Sequence, residues 1–91
     1  MATTIINSHK VENFGKWKQG FEAGASMRKQ LGITIKGVFQ AAEDENHVTV
    51  ISEMPSAEIA KAILSSTELR AAEQQSGVIS TPEIKVLNQI F

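Results

Sequence analysis

Between two runs of β-branched residues lies the stretch NFGKWKQGFEAGASMRKQL, Asn13 to Leu31, and it decides most of what this chain can fold into. Phe14, Trp17, Phe21, Arg28 and Leu31 fall on one side of a helix drawn through it. Asn13 is placed to cap that helix, because its side chain can accept from the free backbone N–H groups of the first turn. Gly32 is placed to end it. Gly20 and Gly24 lie four residues apart inside it, where each weakens a helix by about 1 kcal/mol relative to Ala. The same two positions open a groove that another backbone or a ligand can enter. A helix so rich in rings must line one wall of whatever core or pocket the protein has.

The flanking segments alternate with period two. Thr3–His9 (TTIINSH) reads as a strand with Ile5, Asn7 and His9 on one face. Ile33–Ala42 (ITIKGVFQAA) reads as a second strand, with Ile33, Ile35, Gly37 and Phe39 on one face. Gly37 in its middle suggests a bulge or a close approach. After an acidic turn, Glu43-Asp44-Glu45-Asn46, a third strand runs from His47 to Met54 and forms a hairpin with the second. Ser56 caps a helix over Ala57–Leu64. Ser65 and Glu68 have capping-box spacing before a further short helix, Glu68–Gln75. Pro82 precedes a last strand, Glu83–Phe91.

The resulting order is β-α-β-β-α-β. Right-handed crossovers turn it into a ferredoxin-like α+β fold: a four-stranded antiparallel sheet, strands one and three central, with the helices on one face. The whole chain, residues 1–91, is one such domain. Its other sheet face is left bare, yet both faces of strands three and four carry large apolar groups. An apolar face of that extent is normally covered by a partner. A two-fold homodimer joined through the open sheet face is therefore expected. The chain contains no cysteine, so neither disulfides nor a cysteine-ligated zinc can supplement so small a core.

Net charge is −1, which argues against a nucleic-acid partner. The charge is uneven: residues 1–36 hold six Lys and Arg against two Glu, and residues 37–91 hold three against eight acidic groups. Pairing of the two parts within the fold or across a subunit contact is the simple consequence. MATTIINSHK lacks the pattern of a signal peptide, and no apolar run approaches a membrane span. A soluble, cytoplasmic protein without a membrane partner is expected.

The order and length resemble the dimeric α+β barrel superfamily, which includes the antibiotic-biosynthesis-type monooxygenases. More narrowly, SSTELRAAEQQSGVISTPEIKVL (65–87) and the hairpin AAEDENHVTVISEM are similar to a small uncharacterised family of that superfamily. The resemblance implies the fold and the dimer. It leaves the chemistry open, since members include cofactor-independent oxygenases, isomerases, haem-degrading enzymes and non-enzymatic binders. In the monooxygenase-like relatives an Asn, a Trp and a Tyr are associated with the site. This chain offers Asn7 and Trp17 but no tyrosine, and no catalytic role passes to them from the resemblance.

The expected ligand site is the space between the first helix and the sheet, lined by Asn7, His9, Trp17, Phe21, Phe39 and His47. Large rings with a few polar groups suit a small apolar or aromatic molecule. They suit a filled core equally well. His9 is the one candidate for a catalytic base, with Asn7 and Trp17 positioning a substrate, should the protein be an oxygenase or isomerase. The two histidines fall at the same end of the sheet, near Glu12 and the acidic turn, where a His/carboxylate metal site is conceivable. Solvent-facing strand ends are the plainer reading, and neither a metal nor a cofactor is expected. No helix carries a histidine for haem, no serine has a histidine in a nucleophile's arrangement, and the glycines form no phosphate-binding fingerprint. A non-catalytic interaction module using the apolar sheet face is a further alternative.

Overall fold

The computed structural model describes residues 3–91. The elements follow as β1 (Thr3–Lys10), α1 (Phe14–Ala23), α2 (Ala25–Gln30), β2 (Thr34–Ala41), β3 (Asp44–Met54), α3 (Ala57–Leu64), α4 (Thr67–Gln75) and β4 (Glu83–Asn88). The strands form one antiparallel sheet in the order β2-β3-β1-β4. This is the expected ferredoxin-like α+β arrangement, with the central and edge strands as expected.

Local signals account for the helix boundaries. Asn13 Oδ1 accepts from Lys16 N at 3.0 Å and Asn46 Oδ1 accepts from Phe14 N at 3.0 Å. Two of the free N–H groups at the start of α1 are thereby satisfied, one from the far side of the β2–β3 hairpin. Ser56 caps α3 through Ile59 N at 3.2 Å. Gly32 ends α2 with φ +76°, a conformation that costs glycine little.

Four boundaries depart from the sequence reading. The helix expected over Asn13–Leu31 breaks at Gly24 into α1 and α2, where glycine's backbone freedom makes a continued helix most costly. The cap of α4 is Ser66, whose Oγ accepts from Leu69 N at 3.2 Å. Ser65 instead turns its hydroxyl back to Lys61 O at 2.8 Å, so the Ser65–Glu68 capping box does not form. The acidic turn is mostly strand. Asp44 pairs with Ala41, leaving only residues 42 and 43 as the loop, while Asp44 Oδ1 accepts from Asn46 N at 2.9 Å and Glu45 O accepts from Gln40 Nε2 at 3.1 Å. At the other end, β4 stops at Asn88, which pairs with Thr3, short of the expected Phe91.

A bulge in β2 has the largest effect. Ile35 pairs with Ser52, but Gly37 pairs with Ile51, so Lys36 is an extra residue on that strand. Past the bulge every side chain lies on the face opposite to simple alternation. Phe39 pairs with Thr49 and sits on the outer, helix-free face, 51% exposed. Its ring lies over Gly37, where a Cβ would come within 2.7 Å of it.

Two buried clusters pack between sheet and helices. One holds Val11, Trp17, Val48 and Val50, with Phe14, Phe21, Ile35 and Val78 against it. The other holds Ile5, Met54 and Ala60, with Ile33, Ile63, Leu64 and Ile84 against it. The first is built on α1, the second on α3, and the sheet is continuous beneath both.

A cleft between the two helical layers

The helix-covered face does not close completely. Between α1–α2 and α3–α4, above β1 and β3, lies a cleft of about 200 Å³. Its floor carries Ile5, Asn7, His9, Val50 and Ser52. Trp17, Phe21 and Arg28 form one wall, and Leu69, Ala72, Glu73 and Ser76 form the other.

α1 supplies a rigid aromatic wall. Trp17 and Phe21 are four residues apart and stack with centroids 5.0 Å apart. Trp17 is buried and its ring also lies 5.8 Å from that of His9. The Arg28 guanidinium lies over the Phe21 ring, 3.9 Å from its centroid, a cation–π contact. The spacing of Gly20 and Gly24 has a specific use. A Cβ at Gly24 would lie 3.0 Å from Arg28 Nη1, and one at Gly20 would lie 3.0 Å from Ser76 Oγ. The two glycines thus seat Arg28 and the end of α4, and the cleft remains open between them.

α4 is held in place through its exit. Gly77 adopts φ +86° and its carbonyl accepts from Glu12 N at 2.8 Å. Val78 forms an isolated bridge with Val11, and Lys10 O accepts from Ile79 N at 2.9 Å. The end of β1 therefore anchors the last turn of α4, and with it the position of Glu73 over the cleft.

His9 is 4% exposed. Its Nδ1–H donates to Asn7 Oδ1 at 3.2 Å, which leaves Nε2 as an acceptor. Nε2 is buried and has no partner. Burial pushes the pKa of this imidazole below its ordinary 6.5, and the nearby His47 acts in the same direction. His9 is accordingly neutral at pH 7. Glu73 Oε2 is likewise buried and unpartnered. Burial raises the Glu73 carboxyl above the ordinary range, and Arg70 partly offsets this.

Of the six residues expected at the site, the structure brings Asn7, His9, Trp17 and Phe21 together on the cleft. Phe39 and His47 are corrected. The Lys36 bulge carries Phe39 to the opposite face, and His47, opposite Lys10 in the ladder, points away from the face on which His9 and Val48 lie. Among the described residues no three His, Asp or Glu side chains cluster as metal ligands, although the two histidines do share one end of the sheet. Glu73 escaped the sequence reading. The available signal was its place in Leu69, Ala72, Glu73 and Ser76, a carboxylate on the inward stripe of α4.

No protein-family model matches the sequence, and no curated protein sequence matches it either. The fold does have solved counterparts. A candidate antibiotic biosynthesis monooxygenase from Bordetella bronchiseptica superposes with a TM-score of 0.82 at 9% identity, covering 99% of this chain and 98% of that one. The fold is that of the antibiotic biosynthesis monooxygenases. A second candidate monooxygenase with this fold, from Caulobacter crescentus CB15, gives 0.75 at 16% identity over 99% and 91% of the two chains. SnoaB from Streptomyces nogalater, a cofactor-independent oxygenase, gives 0.75 at 13% identity over 97% and 92%. At these identities what is shared is the monooxygenase fold over the full length. No helix among the described residues is long and apolar enough to cross a membrane.

Proposed function

We propose that the protein binds a small aromatic molecule carrying a hydroxyl group, with its ring in the cleft beside Trp17 and its hydroxyl donating to His9 Nε2. The observation that carries this reading is the buried, unpartnered Nε2 of His9, a residue of the cleft floor. A buried acceptor without a partner costs about 1–3 kcal/mol, and a bound hydroxyl removes that cost. Size supports one ring. An apolar cavity of about 150 Å³ accepts benzene, whereas drug-sized ligands occupy about 300 Å³ or more, above the 200 Å³ found. Trp17 is the sole tryptophan and reports occupancy by its fluorescence. Phenol should quench it saturably and bind about tenfold more tightly than toluene, and His9→Leu should bring the two ligands level. Absence of saturable binding of either ligand would remove the reading.

A second reading is favoured by the neutral, Asn7-oriented imidazole together with the fold shared with SnoaB: cofactor-independent oxygenation. His9 then takes the hydroxyl proton, and Asn7 and Trp17 position the substrate. Dioxygen is the oxidant. One oxygen atom enters the substrate, and the other leaves as water with two substrate hydrogens. Oxygen uptake with quinol-type substrates should fall at least about tenfold in His9→Ala, consistent with the usual contribution of a general base. Equal rates would exclude His9 as the base.

The outer sheet face supports a homodimer. Phe39 and Leu87 are exposed there, 51% and 42%, beside Ile6 and Ile51. Two copies joined across a two-fold axis would cover this face while leaving the cleft on the far side of each sheet. Sedimentation should show a dimer at micromolar concentration.

A further inference from the structure

We propose that Glu73 is a second anchor in the cleft, so that the ligand is a single-ring aromatic with two hydrogen-bond donors, one for His9 Nε2 and one for Glu73 Oε2. This rests on the reading of the cleft as an aromatic site and specifies the class of molecule it takes.

The two atoms are the only buried side-chain nitrogen or oxygen atoms without a partner among the described residues, and both residues line the same cleft. They enter it from different layers, His9 from the sheet and Glu73 from α4. Buried polar atoms are nearly always paired in a folded protein, so two unpaired ones on residues that line one cleft point to what fills it. Both atoms can accept a hydrogen bond. His9 Nδ1–H is committed to Asn7, which fixes Nε2 as an acceptor. A carboxyl group offers an acceptor oxygen whether ionised or not. No ion pair among the described residues neutralises Glu73. Arg28, the cation on the opposite wall, lies over Phe21. The remaining lining is largely rings and aliphatic chains, which suits the body of a ring between two polar ends. A quinone or an ether offers acceptors only and leaves His9 Nε2 unpaired.

The test is calorimetric titration of three benzenediols (catechol, resorcinol, hydroquinone), each against its monomethyl ether. The ether keeps ring and size but loses one donor. At least one diol, the one whose hydroxyl spacing matches, should bind wild-type protein about tenfold or more tightly than its ether. Glu73→Leu should abolish that preference and leave ether binding within about twofold, while raising the melting temperature by removing a buried unpaired carboxyl. A diol preference that survives Glu73→Leu, or that is missing for all three pairs while the ethers bind, overturns the role of Glu73 and leaves the His9 site standing. If neither diols nor ethers bind the wild type, the aromatic site and this inference fall together.

Discussion

On the outer face of the sheet, the Ser8 and Thr49 hydroxyls lie 2.6 Å apart, and Lys36 Nζ lies 2.9 Å from Glu53 Oε1. On the helix-covered face, His9 Nε2 and Glu73 Oε2 have no partner. The apolar groups show the reverse contrast: Phe39 and Leu87 lie exposed outside, and Trp17, Val48 and Ile5 are buried inside. A face with paired polar groups and unburied apolar ones lacks only area, which the proposed second copy would supply. A face with buried apolar groups and unpaired polar ones lacks specific donors, which the proposed ligand would supply. The two sides of one sheet thus differ in what they leave unsatisfied.

This contrast can be broken experimentally. Trp17→Ala should cost about 3–5 kcal/mol in urea unfolding, the usual price of an emptied aromatic core position. Phe39→Lys should weaken self-association at least about tenfold, roughly 1.4 kcal/mol, seen as a shift toward monomer in sedimentation. Affinity for phenol should be unchanged. If Phe39→Lys also abolished phenol binding with the fold intact, the two faces would not be independent.

A smaller effect concerns pH. His9 has a folded pKa below 6.5, so the unfolded chain takes up this proton first. Its contribution is present above 6.5, is lost as pH falls from there, and levels off below the folded value. Glu73 has the opposite sign. Its folded pKa lies above 4.5, so its contribution is present at low pH and is lost as pH rises through the folded value. Thermal melts across roughly pH 4–8 should show the acid-side loss reduced in His9→Gln and the alkaline-side loss reduced in Glu73→Gln. Reversed slopes would refute the assignment. Smallest of all, Lys36→Ala should change stability by less than about 1 kcal/mol, because its pair with Glu53 is solvent-exposed on the lysine side.

Much of the fold was legible because local chemistry and global pattern agreed. Asn13 and Ser56 cap where their side chains dictate, and Gly32 turns where positive φ is needed. The site was half legible. Asn7 and His9 share a face because a strand alternates, and Trp17 meets Phe21 because a helix repeats. Phe39 was misplaced because alternation does not reveal a bulge; Gly37 announced an irregularity without saying which residue was extra. Glu73 was hidden because a glutamate on a polar helix reads as a solvent-facing residue until the neighbouring elements are in place. Which faces of α4 point inward depends on the bridge between Val11 and Val78, residues far apart in sequence.

The extra residue at Lys36 carries an evolutionary consequence. Deleting the single codon for Lys36 would restore plain alternation in β2 without moving its neighbours. Gly37, Val38 and Phe39 would keep Ile51, Val50 and Thr49 as partners, so Phe39 would stay on the outer face. Related chains one residue shorter at this point are therefore expected to lose only the local bend and added twist of the bulge, whereas a chain that keeps the residue but closes the bulge would turn Phe39 under the helices.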